Sequence, residues 1–299
     1  MLKITNIKKF GAVAVAAAGL LATSSSYAGT EVAASKNVVE ETKKSFISGD
    51  LGVTMVSEYI SRGLVLENQG AIAQPYLDIY FKMYEGTGFI NSVTAQLGFW
   101  SSIHSHVQPD GSTDTTRNWY EFDWTPTISV TFAKNFTLSL AYFEFDSPAS
   151  AFDTARSVNA SLAYNDSDLL GAFALHPHVT VLRELAAPGF AGLGGQGWYY
   201  EVGIAPSYTI APKASYPLTL TVPVTAGFGS HHFYAGQGFG YVSGGLTASV
   251  PLAFIPSGYG TWTATAGYTY YYLGDHAADA TATGNNSQHV FSGAIGMTF

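Results

Sequence analysis

The ionisable residues of this 299-residue chain are few, and many fall at alternate positions of segments with strand periodicity. The polar parity of the first two such segments carries Glu58, Arg62, Asp78 and Lys82. Opposite charges on adjacent antiparallel strands support each other. Such a set could line a pore and select ions, or it could neutralise itself and fill a narrow lumen. Arg62, in an Arg-Gly step predicted at a strand–loop junction, is the best single candidate.

Acidic residues recur in the later segments. Glu121 and Asp123 share a face in "YEFDW", Glu144 and Asp146 lie in "FEFD", and Glu184 and Glu201 flank one long loop. Inward acids that outnumber inward bases would favour cations and repel anions in a pore. Paired carboxylates can also hydrolyse glycosides, but spacing in the sequence does not fix their separation.

Other patterns predict no catalytic or metal site. The histidines in "HPH" (176–178), "SHHF" (230–233) and at 104 and 106 lack a repeated ligand spacing. No G-x-S-x-G motif occurs, and the glycine-rich stretches are explained by loops and barrel corners. We therefore expect a protein that is not an enzyme and needs no cofactor or metal.

The composition indicates which elements must position these residues. Apolar residues make up 47% of the chain and charged residues 11%, against about 25% charged residues in ordinary soluble domains. After the N-terminus no stretch is long and apolar enough for a membrane helix. An apolar, charge-poor chain without such a helix is typical of a membrane β-barrel.

Period-2 alternation predicts twelve strands, beginning with 51–63, 74–86, 89–104, 119–132, 136–146 and 156–165, and continuing with 173–185, 197–210, 218–229, 240–252, 261–273 and 287–299. Connections after even-numbered strands are shorter, and those after odd-numbered strands are longer and more polar. The polar faces are rich in Thr, Ser and Gly, whereas a soluble sandwich would expose Lys and Glu. These features favour an all-β, antiparallel, up-and-down transmembrane barrel with both termini on the short-turn side.

The two ends of the chain fit this interpretation. "HVFSGAIGMTF" alternates to its last residue, so we expect the final strand to pair with the first and Phe299 to face lipid. Three lysines, a short apolar stretch and Ser26-Tyr27-Ala28 predict a cleaved signal peptide over 1–28. Residues 29–49 are predicted as a flexible periplasmic tail, and 50–299 as the barrel.

Cleavage would remove three lysines and no acid, leaving 10 basic and 21 acidic residues and a net charge of −11. This balance argues against nucleic-acid binding. The absence of cysteine excludes a disulfide framework.

The opening "LGVTMVSEYISRGLVLENQGAIAQPYLDIYF" resembles the TorF-type putative porins, an exported family of bacterial outer-membrane barrels. The resemblance is carried by Ser57, Tyr59, Arg62, Gly63 and the Gln74-Pro75 step. The terminal Phe299 likewise resembles the assembly signal of bacterial outer-membrane barrels, which implies contact with the barrel assembly machinery. An outer-membrane barrel is also expected to contact membrane lipid and lipopolysaccharide.

The function expected from these observations is passive diffusion of ions or small hydrophilic solutes across a Gram-negative outer membrane, with a preference for cations. The predicted pore-lining residues are Glu58, Arg62, Asp78, Lys82, Glu121, Asp123 and Glu201. Two alternatives stay open: a non-conducting structural or adhesion barrel, and an outer-membrane hydrolase.

Overall fold

The computed structural model describes residues 46–106, 118–186, 196–234, 238–279 and 284–299. The predicted signal peptide and most of the predicted tail lie outside these residues. The first wall strand begins at Ile47 and not at Asp50, so the last residues of the predicted tail belong to the barrel.

The strands of the described chain are β1 (Ile47–Val56), β2 (Tyr59–Ser61), β3 (Leu64–Glu67), β4 (Ile72–Glu85), β5 (Ile90–His104), β6 (Trp119–Phe132), β7 (Phe136–Asp146), β8 (Ala155–Tyr164), β9 (His178–Ala186), β10 (Trp198–Ile204), β11 (Ser207–Ile210), β12 (Leu218–Thr221), β13 (Val224–Gly229), β14 (Phe239–Pro251), β15 (Thr261–Leu273) and β16 (Ser287–Thr298). Short helices α1 (Ser167–Leu170) and α2 (Asp275–Asp279) and two single turns of 3-10 helix lie in connections. None of the helices in this part of the chain is long and apolar enough to cross a membrane.

Fourteen of these strands form one antiparallel sheet that closes on itself, with β1 pairing with both β4 and β16. Two wall strands are interrupted at prolines, which cannot donate to the ladder. The carbonyl of Pro206, between β10 and β11, accepts from the amide of Val222, and the carbonyl of Pro223, between β12 and β13, accepts from Gly245. Each interrupted pair is one wall strand, so the wall has twelve strands, as the alternation predicts.

The closing seam joins β1 to β16, with Asp50 opposite Thr298 and Val56 opposite Ser292. The amide of Phe299 donates to the carbonyl of Gly49, and the amide of Gly49 donates back. The predicted pairing of the last strand with the first is confirmed. The ring of Phe299 is exposed on the outward side, at the end of the barrel that carries both described termini.

The two faces of the wall differ in chemistry. Outward positions carry exposed aliphatic side chains such as Met55, Leu140 and Leu246. Exposed aromatic residues occur near both rims, including Trp119, Trp198 and Tyr272 at one end and Phe89, Tyr259 and Phe299 at the other. An apolar band between two aromatic girdles is the outer surface of a transmembrane barrel.

Inward positions carry buried hydroxyl groups that bond between neighbouring strands. Examples are Ser129 with Ser139 at 2.7 Å, Ser161 with Thr180 at 2.6 Å, and Ser249 with Thr265 at 2.8 Å. The lumen is therefore polar, as expected from the Thr- and Ser-rich parity of the sequence.

The wall departs from the prediction at its first strand. The alternation of 51–63 predicts one continuous strand, but β1 ends at Val56, which lies directly opposite Ile72 of β4. Residues 57–71 leave the wall and contain the separate hairpin β2–β3. We call residues 57–71 the plug loop.

A second departure concerns the turn after β8. The predicted strand from 173 begins only at His178, because the carboxylate of Asp166 organises the preceding residues. It accepts from the amides of Leu175 and His176, each at 2.9 Å. Burial acts to raise the pKa of Asp166, but these backbone donors outweigh it and hold that pKa below its usual value.

Replacing Asp166 with Ala should therefore destabilise this turn by about 1.5–3 kcal/mol, the usual value of hydrogen bonds to a charged group. Because the folded-state pKa is depressed, the contribution is complete above the unfolded pKa of about 3.9 and is lost as the pH falls through the folded value. Hydrogen exchange of the Leu175 and His176 amides at pH 7 would measure it. Asp168→Ala, in the same turn but exposed, is the control; equal protection in both variants would contradict the assignment.

Candidate functional site

The plug loop enters the barrel mouth opposite the termini as a tight hairpin. Ser61 pairs with Leu64, so Arg62 and Gly63 form a two-residue turn. Both have positive φ, 48° for Arg62 and 82° for Gly63, as a type I′ turn requires. Glycine adopts this conformation freely, but an arginine there is strained by roughly 1–2 kcal/mol. The side chain of Arg62 is therefore held in place by contacts elsewhere.

Apolar packing fixes the loop in the mouth. The plug loop buries the side chains of Tyr59, Ile60 and Leu64. Leu64 packs in a cluster with apolar side chains of the outer loops and strand ends. These are Leu182, Tyr199, Phe233, Tyr234, Tyr241, Leu273, Ala277 and Ala278. The Tyr234 hydroxyl donates to the carbonyl of Arg62. This end of the described lumen is filled by protein.

Ser57 anchors the start of the plug loop to the wall. Its amide donates to the carbonyl of Phe291, and its hydroxyl accepts from the Phe291 amide at 2.9 Å. The predicted family-motif residues Ser57, Tyr59, Arg62 and Gly63 thus share one role in the structure, because all four belong to the plug loop.

The guanidinium of Arg62 lies close to two aromatic rings on the wall. Its Cζ is 5.4 Å from the centroid of Phe145 and 5.9 Å from that of Tyr199. Cations within about 6 Å of a ring face are attracted by its quadrupole, most strongly when desolvated. Arg62, Phe145 and Tyr199 are all buried.

Two carboxylates of β6 complete this site. Glu121 and Asp123 both face inward and are 0% exposed, and the charge of Arg62 acts on both. Glu121 accepts from the Tyr59 hydroxyl at 2.8 Å. Within the described chain neither carboxylate oxygen of Asp123 accepts a hydrogen bond. We call Glu121, Asp123, Phe145 and Tyr199 the guanidinium pocket.

Glu201 lies beside this pocket on β10. Its carboxylate accepts from Tyr199 at 2.6 Å and from Tyr241 at 3.0 Å. Nε2 of His178 lies 3.8 Å from its other oxygen. Glu201 is buried and inward, where the sequence places it.

A second carboxylate pair lies nearer the termini. Asp78 of β4 is directly opposite Asp50 of β1 and accepts from the Gln96 amide at 2.6 Å. Asp50 accepts from the Tyr80 hydroxyl at 3.2 Å. The expectation that Asp78 pairs with an opposite charge is wrong, because the register places a like charge across the strand.

Several sequence-predicted positions are corrected. Glu58 follows the end of β1 and belongs to the plug loop, so it does not line a wall strand. Lys82 faces the rim near the termini and pairs with Glu85 at 3.3 Å, with both side chains more than 40% exposed. Arg62 lies in the hairpin turn, away from any wall-strand junction, because the chain leaves the wall before reaching it.

Glu144 does not face the lumen. It lies on the outward side of β7 and binds Arg156 at 2.6 Å, while Phe143 and Phe145 point inward. In "AYFEFD" both parities contain aromatic residues, so alternation alone cannot orient this segment.

A serine–histidine contact also emerges from the fold. Ser102 Oγ lies 2.8 Å from Nε2 of His104, and Nδ1 of the same ring lies 3.8 Å from Glu67 of the plug loop. Ser102 and His104 are buried, and His104 stacks on Tyr120 at 4.6 Å. A bulge between β5 and β6 turns Tyr120 inward, although its parity predicts an outward position. No group of residues in the described chain could hold a metal ion.

The closed sheet, the apolar outer face and the two aromatic girdles define a transmembrane β-barrel of the bacterial outer-membrane type. No protein-family model matches the sequence. No curated protein matches it either.

Solved structures with a similar fold include three barrels. An outer membrane channel from Pseudomonas putida F1 is 10% identical, and the match covers 88% of this chain and 100% of that chain with a TM-score of 0.47. Outer membrane phospholipase A from Escherichia coli is 9% identical, with 87% of this chain and 94% of that chain covered and a TM-score of 0.42. The β domain of the Bordetella autotransporter BrkA is 11% identical, with 84% of this chain and 98% of that chain covered and a TM-score of 0.42. Because these three proteins have different functions, the similarity in fold does not indicate which function this chain has.

Proposed function

We propose that this protein is an outer-membrane channel for small hydrophilic solutes, with a preference for cations, and that the conformation described is its closed state. The observation that carries the proposal is the inward charge distribution. The inward wall carboxylates of the described strands are Asp50, Asp78, Glu121, Asp123, Glu184 and Glu201. Against them stands Arg62 of the plug loop, whereas Lys82 lies at the rim and pairs with Glu85. When the plug loop withdraws, the lumen is strongly negative, which favours cations.

The proposal includes the route to the membrane. The chain is exported with a signal peptide cleaved after Ala28, and Phe299 at the end of the closing strand is read by the barrel assembly machinery. The apolar band on the outer face of the barrel contacts membrane lipid and lipopolysaccharide. The TorF-type resemblance belongs to this proposal, since four of its motif residues, Ser57, Tyr59, Arg62 and Gly63, lie in the plug loop.

The test is the reversal potential of a refolded variant in which residues 58–70 are replaced by a short Gly-Ser turn. Because Val56 and Ile72 are cross-strand partners, such a turn can join β1 to β4 directly. Under a KCl gradient we expect a cation-selective potential. Asp78→Asn should weaken it, whereas Glu144→Gln, which removes the same charge from the outer face, should leave it unchanged. An anion-selective potential would overturn the assignment of the lining.

A second candidate is a non-conducting structural or adhesion barrel, and the filled mouth favours it. Absence of current from the folded variant without its plug loop would support this candidate and exclude a channel.

The Ser102–His104 contact favours a third candidate, ester hydrolysis, in which His104 would activate Ser102. Both residues are buried beneath Tyr120, so a substrate would reach them only after the plug loop moves. Hydrolysis of a chromogenic ester by the variant without its plug loop, abolished by Ser102→Ala, would establish this activity.

A further inference from the structure

We propose that the guanidinium pocket is a binding site for solutes that carry a guanidinium or a similar flat cationic group, and that Arg62 occupies it as a tethered ligand. The inference rests on the proposed channel function, because solute reaches the pocket only when the plug loop withdraws. It adds the chemical class of the solute to that function.

The pocket has the complete chemistry of cation recognition. The ring centroids of Phe145 and Tyr199 lie 5.4 and 5.9 Å from the guanidinium carbon, and the buried Glu121 and Asp123 supply two carboxyl groups on which the charge of Arg62 acts. A planar guanidinium can stack on aromatic rings and bond to carboxylates through its edge. An ammonium or a potassium ion matches only part of this arrangement.

The wall supplies every one of these groups except the cation itself. Phe145 is on β7, Tyr199 on β10, and Glu121 and Asp123 are on β6. These strands pair with neighbours throughout the closed sheet, so the site remains assembled when the plug loop leaves. The cation alone is carried by a segment outside the wall.

Asp123 gives an independent indication that the tethered side chain of Arg62 does not satisfy every group of the pocket. It is 0% exposed, and neither of its oxygens accepts a hydrogen bond within the described chain. A buried carboxylate in this state is costly. A cationic ligand that donates hydrogen bonds to Asp123 would remove that cost.

The hairpin turn also points to a specific role for the side chain of Arg62. At φ 48°, asparagine or glycine would fit the turn with less strain. The turn therefore places an arginine against its conformational preference, where it reaches the pocket from the loop.

The experiment is chemical rescue of Arg62→Gly, which empties the pocket while keeping the turn conformation. Guanidinium chloride at millimolar concentrations should raise the thermal transition of this variant by about 3–6 °C at ten times the dissociation constant. The wild type should not respond, because Arg62 already fills the site. Asp123→Asn added to Arg62→Gly should abolish the rescue, and potassium chloride at equal ionic strength is the control.

Rescue by guanidinium alone would support the proposal. An equal rise of the thermal transition with potassium chloride would overturn it. So would the absence of any rise with guanidinium chloride in a folded Arg62→Gly variant. Current measurements separate this result from the channel proposal. In the variant without its plug loop the pocket faces the open lumen, so guanidinium should reduce the potassium current. Potassium current without any effect of guanidinium would keep the channel and refute the site.

Discussion

Replacing Arg62 with Gly should open the plug loop. The substitution leaves Glu121 and Asp123 buried without their cation. Removing one partner of a buried charge group costs about 3–5 kcal/mol. Relief of the strained turn returns roughly 1–2 kcal/mol, so a net loss of about 1–4 kcal/mol is expected.

Hydrogen exchange of the plug-loop amides measures this loss, since exchange there reports local opening. We expect roughly tenfold or greater acceleration in β2 and β3, with the protection of wall strands such as β15 unchanged. Lys82→Ala is the control, because the exposed Lys82–Glu85 pair is worth about 0–1 kcal/mol. Unaltered exchange in Arg62→Gly would show that the charge does not hold the loop.

Replacing Tyr234 with Ala should release the loop from its other side. The Tyr234 ring lies directly on the backbone of Gly229 and Gly240, where a Cβ would come within 2.5 and 2.2 Å of the ring. The ring is buried, and its hydroxyl donates to the carbonyl of Arg62. Loss of a buried aromatic side chain of this size costs about 3–5 kcal/mol.

Tyr234→Phe separates the hydroxyl from the ring and should cost only about 0.5–1.5 kcal/mol. Gly240→Val should reproduce the effect of Tyr234→Ala, because the new side chain would expel the ring. Thermal unfolding and plug-loop exchange of the three variants measure these effects. If Tyr234→Ala were no less stable than Tyr234→Phe, the ring would not hold the plug loop.

Alternation in the sequence predicts the wall because a barrel strand must place one parity in lipid and the other in the lumen. This constraint correctly orients β6, so Glu121 and Asp123 are found inward, as predicted. It also correctly pairs the C-terminal strand with the first strand.

Alternation gives a wrong prediction where an alternating segment forms a strand outside the wall. "SEYISRG" continues the alternation of β1, but a hairpin inside the mouth alternates with the same period of two. The signal that could have found the hairpin is the Arg-Gly step, since consecutive residues with positive φ favour glycine at the second position.

Other errors arise from interactions that only the fold creates. The bulge that turns Tyr120 inward and the register that places Asp50 opposite Asp78 depend on neighbouring strands. Likewise, the meeting of Arg62 with Phe145 and Tyr199 joins three segments distant in sequence.

The central claim is that the plug loop closes the outer mouth of a conducting barrel. Single-channel recording in a planar lipid bilayer tests it most directly, by comparing the refolded wild type with the variant that has residues 58–70 replaced by a short turn. We predict a wild type that is closed for most of the record and a variant that is steadily open. Equal conductance in the two proteins, each shown to be folded by circular dichroism, would contradict the claim.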